Sequence, residues 1–263
     1  MLLNTLAVKH RIATSGLAGP VGKLRAYFKR IKGLRHPELG LLSREDEMIE
    51  AVMRRRLRRD WNCLDIGAHV GSVFYQMTQI APDGRHAMIE ASAAKAQVLR
   101  DRFGADRVHE VAVSDTNGEV SFYENLDQPG FSSLAMRTSR GEVREAKVRA
   151  VRLDDLLGDA RFDFIKIDVE GFEFPALKGG EALLRRCHPL IQFEAGALGD
   201  ADLSDESAQL YDWLTGDLGY GIYAAFDLYF NRPALSAAQF QSYRTYPFLA
   251  FNYFAVHSDQ RTR

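Results

Sequence analysis

Apolar positions change their spacing along the chain, and each change marks an element. Leu17, Val21, Leu24, Phe28 and Ile31 recur at three- and four-residue steps, while Lys23, Arg25, Lys29, Arg30 and Lys32 occupy the other faces. That pattern predicts a basic amphipathic helix from Leu17 to Leu34. A second helix is predicted from Ser43 to Arg59, with Ser43 as its N-cap, Asp46 at the third position and arginines set against its C-terminal dipole.

Strand and helix patterns then alternate. The predicted strands Asn62–Ile66, Arg85–Glu90, Val108–Val113, Phe162–Asp168 and Leu190–Glu194 are apolar runs that end in turns or acids. Helices are predicted up to Ile80, over Ala93–Phe103, around Glu181–Arg186 and near Ser204–Leu218. Such alternation builds a parallel sheet with helical crossovers. Residues 119–152 break the rhythm and read as a small β-rich insertion, whereas the aromatic-rich segments Gly221–Phe230 and Phe248–Val256 read as an antiparallel pair at the sheet edge.

At 263 residues, 46% hydrophobic and 26% charged, the chain has a globular composition with room for one large core. Its net charge of −1 hides a split, because residues 1–60 carry 14 basic and 6 acidic side chains while the remainder is acidic. This divides the chain into a basic helical extension, residues 1–60, and an α/β domain, residues 61–263. Cys63 and Cys187 have no metal-ligand spacing and read as small buried hydrophobes. Without an apolar run of membrane length or a secretory leader pattern, a cytoplasmic location is the expectation.

Two constellations carry chemistry. In Cys63-Leu-Asp65-Ile-Gly67-Ala-His69-Val-Gly71 an apolar strand ends in an acid and two glycines before a helix. The spacing D-x-G-x-x-x-G lacks the central glycine of a dinucleotide fingerprint, and an acid in the turn would repel a pyrophosphate. It suits a cationic ligand such as the amino group and sulfonium of S-adenosylmethionine. Glu90 closes the next strand, where a carboxylate accepts ribose hydroxyls. The second constellation, Ile165-Lys166-Ile-Asp168-Val-Glu170-Gly171-Phe-Glu173, ends another strand in acids, and Glu194 ends a further one. Ligands of open α/β sheets bind beyond the strand carboxyl ends, so these carboxylates are expected on one rim. Lys166 is either a strand lysine paired with a neighbouring acid or a substrate-positioning group.

These residues resemble the FkbM-type S-adenosylmethionine-dependent methyltransferases over roughly residues 45–256. The resemblance rests on the run from Asp65 to Gly71, Ile89-Glu90, Ala112 to Asp115, Leu153-Asp-Asp-Leu156, Ile165 to Gly171, Phe193-Glu194 and Asn252 to Ala255. It implies a Rossmann-like seven-stranded α/β fold and O-methylation, commonly of a sugar or secondary metabolite. It further implies that Asp65, Gly67, Ala68 and Gly71 shape the methionine end of the pocket, that Glu90 and Ala91 meet the ribose, and that Ala112, Val113, Ser114 and Asp115 surround the adenine. His69 stands where the family often has Asn, and a polar contact is expected of it.

A hydroxyl acceptor needs a base, which Asp168, Glu170 or Glu194 would supply; Asp168 ranks first, as base or as the cofactor-binding group that orients cofactor and acceptor, because its strand ends nearest the expected methyl group. The acids also meet the needs of a divalent ion such as Mg²⁺, although metal-free catalysis is the favoured reading. A glycan or other small-molecule acceptor is expected. The alternatives left open are an N-methyltransferase acting on a peptide or amine, and a non-catalytic cofactor-binding scaffold. A nucleic-acid partner is disfavoured by the acidic rim. Residues 17–35 are expected to dock on the domain or on a second copy of the chain, or to meet an anionic membrane.

Overall fold

The computed structural model describes residues 39–125, 143–197 and 206–260. The basic helix expected over residues 17–34 lies outside them. A 3₁₀ turn, Leu42–Arg44, leads into α1, Glu45–Arg56. Ser43 is not its N-cap: the hydroxyl sits inside the preceding turn and donates to the Gly40 carbonyl at 2.8 Å, so it is spent before the helix begins. Met48, Val52 and Met53 of α1 are buried in the core, which draws part of the basic leader into the domain.

The main sheet has seven strands in the order β3-β2-β1-β7-β8-β10-β9. They are β1 Cys63–Ile66, β2 Ala87–Ile89, β3 Val108–His109, β7 Phe164–Ile167, β8 Leu190–Glu194, β9 Tyr220–Ala224 and β10 Asn252–His257. β1 pairs in parallel with β2 and β7, and β7 with β8; β10 runs antiparallel to both β8 and β9. Every residue of β1 and β7 is buried, the continuous pattern of a parallel strand covered on both faces. Helices α2, Ser72–Ile80, and α3, Ala93–Phe103, follow β1 and β2.

The insertion forms a separate three-stranded sheet, in the order β4-β6-β5, from β4 Ala112–Val113, β5 Gly118–Asn125 and β6 Val143–Val151. The single strand expected over Val108–Val113 is therefore two. β3 closes the main sheet, and two residues later β4 has left it to pair in parallel with β6.

One more expectation changes at the end of the chain. Segment Gly221–Phe230 is not all strand, because after β9 the run Ala225–Tyr229 winds into a short helix with Ala225, Phe226 and Leu228 buried. The two terminal strands do form the expected antiparallel pair at that edge of the sheet, with β10 next to β8 and β9 outermost. Short helices α4 Leu153–Leu157, α5 Glu173–Lys178, α6 Glu181–Cys187, α7 Glu206–Asp212, α8 Ala225–Tyr229 and α9 Ala237–Tyr243 complete the described α-helices, with a π turn, Trp213–Asp217, after α7.

Candidate active site

At the centre of the sheet the chain runs from β1 to β2 on one side and later places β7 on the other. This is the topological switch where an open α/β sheet leaves a crevice beyond its strand ends. The turn after β1 occupies it. Gly67 and Ala68 donate their amides to the Ile89 carbonyl at 2.9 and 3.2 Å, which ties the turn to the end of β2. Gly67 has φ +75°, and a Cβ there would overlap the carbonyl oxygen of Asp168 at the end of β7. Gly71 has φ +76°, and its missing Cβ leaves room for Phe103 and Leu99 of α3. His69 adopts φ 52° without being glycine, as Glu170 does at φ 56° in the turn after β7. Two non-glycine residues in this costly region flank one crevice, which is where such backbone strain concentrates in proteins that use it.

Glu90 is the brace of the first turn. Its Oε2 accepts the His69 amide at 2.8 Å and its Oε1 accepts the Ser92 amide at 2.9 Å. Each oxygen keeps a lone-pair direction, so the carboxylate that holds the loop still has acceptor capacity for a ligand hydroxyl. Ala91 lies between these anchors. Glu173 does the same work after β7, accepting the Val169 and Gly171 amides at 2.9 and 3.3 Å through Oε1. Glu173 ends the second sequence constellation, and the pattern there assigns it no role. The signal was there, a glutamate two residues beyond a turn glycine.

Between the turns lies a buried charge cluster. In register across the sheet, Asp65 pairs with Lys166 and Lys166 with Gln192, so the three side chains share one face. Lys166 Nζ stands 3.2 Å from Asp168 Oδ2, 3.7 Å from Asp65 Oδ1 and 3.4 Å from the Gly67 carbonyl. Burial by itself would push the ammonium down, but the Asp168 and Asp65 carboxylates outweigh it and hold Lys166 above its usual range. Asp65 is fully buried and its oxygens have no hydrogen-bond partner. Burial raises its carboxyl against the pull of Lys166.

Glu194 ends β8 opposite Asn252 of β10. Burial, reinforced by Asp168, Glu170 and Glu173, pushes its carboxyl up to about 8, and burial carries Glu173 to about 7. The rim therefore joins Asp65, Lys166, Asp168, Glu170, Glu173 and Glu194, with some of its carboxyls protonated near neutrality. Asn252, another candidate from the sequence, is anchored: its amide donates to Glu45 Oε2 at 3.2 Å and accepts from Gln192 at 3.4 Å. Glu45 was missed altogether. Its Oε1 also accepts the Phe251 and Asn252 amides, at 2.8 and 2.9 Å, from a helix more than 200 residues away in sequence.

The remaining expected cofactor residues lie on the small sheet and in the turn that follows its first strand. Ala112 and Val113 are buried in β4 of the small sheet. Ser114 donates its hydroxyl to Asp115 at 3.2 Å, and Asp115 lines a shallow surface depression with Arg152, Asp154 and Lys178. Among the described residues, the one group of possible metal ligands within 4.8 Å of one another is His188, His257 and Asp259, and no rim carboxylate belongs to it.

The residues present fit an S-adenosylmethionine-like cation. The turn glycines leave a cradle that side chains would fill, Asp65 offers buried acceptor oxygens with no hydrogen-bond partner, and the donor set is rich in negative charge. No helix among the described residues is long and apolar enough to cross a membrane.

A family model for the methyltransferase FkbM domain matches residues 65–222. The 2-O-methyltransferase NoeI of Sinorhizobium fredii is 28% identical over 145 residues, 47% of this chain and 58% of its own, so the match spans less than two thirds of that relative. Among solved structures, a methyltransferase FkbM from Methylobacillus flagellatus shares 18% identity over 76% of this chain and 44% of its own, with a TM-score of 0.48. An O-methyltransferase from Bacillus cereus, solved with SAH, shares 16% identity over 80% of this chain and 78% of its own, with a TM-score of 0.43.

Proposed function

The chain belongs to the FkbM methyltransferase family, and from that premise we propose that it methylates a hydroxyl of a sugar, on a glycan, glycolipid or secondary metabolite, at the expense of S-adenosylmethionine. The observation that carries this reading is the Lys166–Asp168 pair at the end of β7, next to the buried Asp65 and the Gly67 turn. Bound there, S-adenosylmethionine supplies an electrophilic methyl group on a sulfonium. Asp65, Gly67, Ala68, His69 and Gly71 would hold its methionine end, Glu90 and Ala91 its ribose, and Ala112 to Asp115 its adenine.

The protein's own part is to align the acceptor, take its proton and exclude water. Alignment is worth up to about 7–11 kcal/mol in well-oriented cases. A sugar hydroxyl is a weak nucleophile, and a positioned base adds about 10²–10⁴-fold. Asp168 is that base: its carboxylate is partly exposed to the crevice and its Oδ2 is fixed by Lys166. Lys166 orients it and balances the charge that Asp65 brings. Glu194 and Glu170 stand behind as acceptors for neighbouring hydroxyls. Residues 61–263 carry this chemistry, and α1 supports it by holding Asn252 through Glu45.

The carboxylate-rich rim also favours a cationic acceptor, which is the argument for N-methylation of an amine. Calorimetric titration with S-adenosylmethionine, followed by radiolabelled methyl transfer to a panel of neutral glycans and of amines, separates the readings. Label on a glycan hydroxyl supports the proposal. Label only on amines, or no cofactor binding, overturns it.

A further inference from the structure

Three aromatic rings beside this rim do no core work. Tyr246, Phe248 and Phe251 lie on the segment between α9 and β10. Phe248 and Phe251 are half-buried but stand outside the hydrophobic core cluster, and Tyr246 is 62% exposed, unusual for so large a ring. They contact one another in sequence: Phe251 and Phe248 at 5.1 Å between centroids, Phe248 and Tyr246 edge-on at 5.7 Å. The inner end of this stair is pinned to the rim. The Phe251 carbonyl accepts the amide of Ala195, the residue after Glu194, at 2.8 Å, and its own amide is held by Glu45. The base of the segment is fixed as well, since Arg244 is buried and donates to the Gly196 carbonyl at 2.8 Å.

We infer that this aromatic stair is the acceptor subsite and that it takes an uncharged sugar ring. The inference rests on the methyltransferase reading above. A pyranose has an apolar C–H face, which packs on an aromatic ring, and an edge of several hydroxyls, which asks for several acceptors. The stair supplies the first, and the second comes from Glu194, with its neighbours Asp168 and Glu170, next to the Ala195 amide that pins the stair. The charge argues against anionic acceptors. Phosphorylated or carboxylated sugars would meet the carboxylate rim with like charge, and a flat phenol would leave most of the rim oxygens without a donor.

Saturation-transfer NMR tests this with the methyl glycosides of glucose, galactose, mannose and N-acetylglucosamine, glucose 6-phosphate as the charged control, and SAH present throughout. The wild-type chain is expected to saturate the C–H protons of at least one neutral glycoside and not those of the phosphate. F248A and Y246A should each weaken that binding, and the double variant by about tenfold, the scale of two lost aromatic contacts. Because these rings stand outside the core cluster, the melting midpoint and the calorimetric affinity for S-adenosylmethionine should not change. Normal cofactor binding with no neutral glycoside bound, or with binding unaltered in the double variant, overturns the acceptor inference while leaving the methyltransferase reading intact. Absent cofactor binding in the wild type overturns both.

Discussion

Gly67 and Asp168 touch through their backbones: a single carbon added to Gly67 would overlap the Asp168 carbonyl oxygen. The contact brings the ends of β1 and β7 together at the middle of the sheet. An alanine at 67 would carry both the collision and a left-handed φ of +75°. G67A should cost about 1–3 kcal/mol in chemical denaturation. It should also weaken S-adenosylmethionine binding at least tenfold by calorimetry, since relief of the clash moves the turn.

Lys166 answers two carboxylates from a nearly closed position. Replacing it with methionine leaves Asp65 buried beside no counter-charge, a change that costs about 3–5 kcal/mol when one partner of a buried pair is removed. Adding D65N to K166M removes the orphaned charge and should restore part of that stability. A double-mutant cycle in urea reads the coupling, and additive losses would show that the pair does not interact.

Asp168 is partly exposed, so D168N should fold normally. Turnover should fall about 10²–10⁴-fold, the usual contribution of a base, with the cofactor affinity kept. Full turnover in this variant would remove Asp168 as the base.

The raised carboxyls set a pH dependence of stability. Glu173 and Glu194 hold protons in the folded chain up to about 7 and about 8, whereas their ordinary value is 4.5. Between 4.5 and 8 the folded state therefore binds more protons than the unfolded one, and stability falls as pH rises through that window, then levels off. Thermal melts from about pH 5 to about pH 9 should show the decline. E194Q, which mimics the protonated side chain, should flatten its upper part.

Glu45 holds the entry to β10 from across the chain. E45A leaves the Phe251 and Asn252 amides without their acceptor, at about 1–3 kcal/mol for each buried group left unsatisfied. Denaturation should record the loss. Calorimetry should show cofactor affinity largely retained, because Glu45 contacts none of the residues assigned to the cofactor.

Sequence patterns carried the centre of the fold well. Helix Ala93–Phe103 and strand Leu190–Glu194 occupy the residues that the pattern predicts. The acids at the ends of β1, β7 and β8 follow from apolar runs that stop at a carboxylate. What the pattern missed depends on partners far away in sequence. Leu153–Leu157 is too short for periodicity to register, and its Asp154 caps α6 by accepting the Ala182 and Leu183 amides at 3.1 and 2.8 Å. The same is true of Glu45. Ser43 looked like a cap because its residue type is right, and only the preceding turn shows the hydroxyl already used. The split of Val108–Val113 was invisible because both halves are apolar, and pairing rather than composition decides which sheet each joins.

The position of β10 sets a timetable for synthesis. It is hydrogen-bonded on both sides, between β8 and β9, and follows every other described strand in the chain. Until residues 252–257 leave the ribosome, β8 and β9 each present an unpaired edge, with Ile191, Phe193 and Ile222 lacking the neighbours that bury them. At about 5–20 residues per second the nascent chain holds that open state for seconds. The half of the sheet that carries Glu194 thus matures last, and in that interval the chain offers exposed apolar strands to any chaperone that meets it.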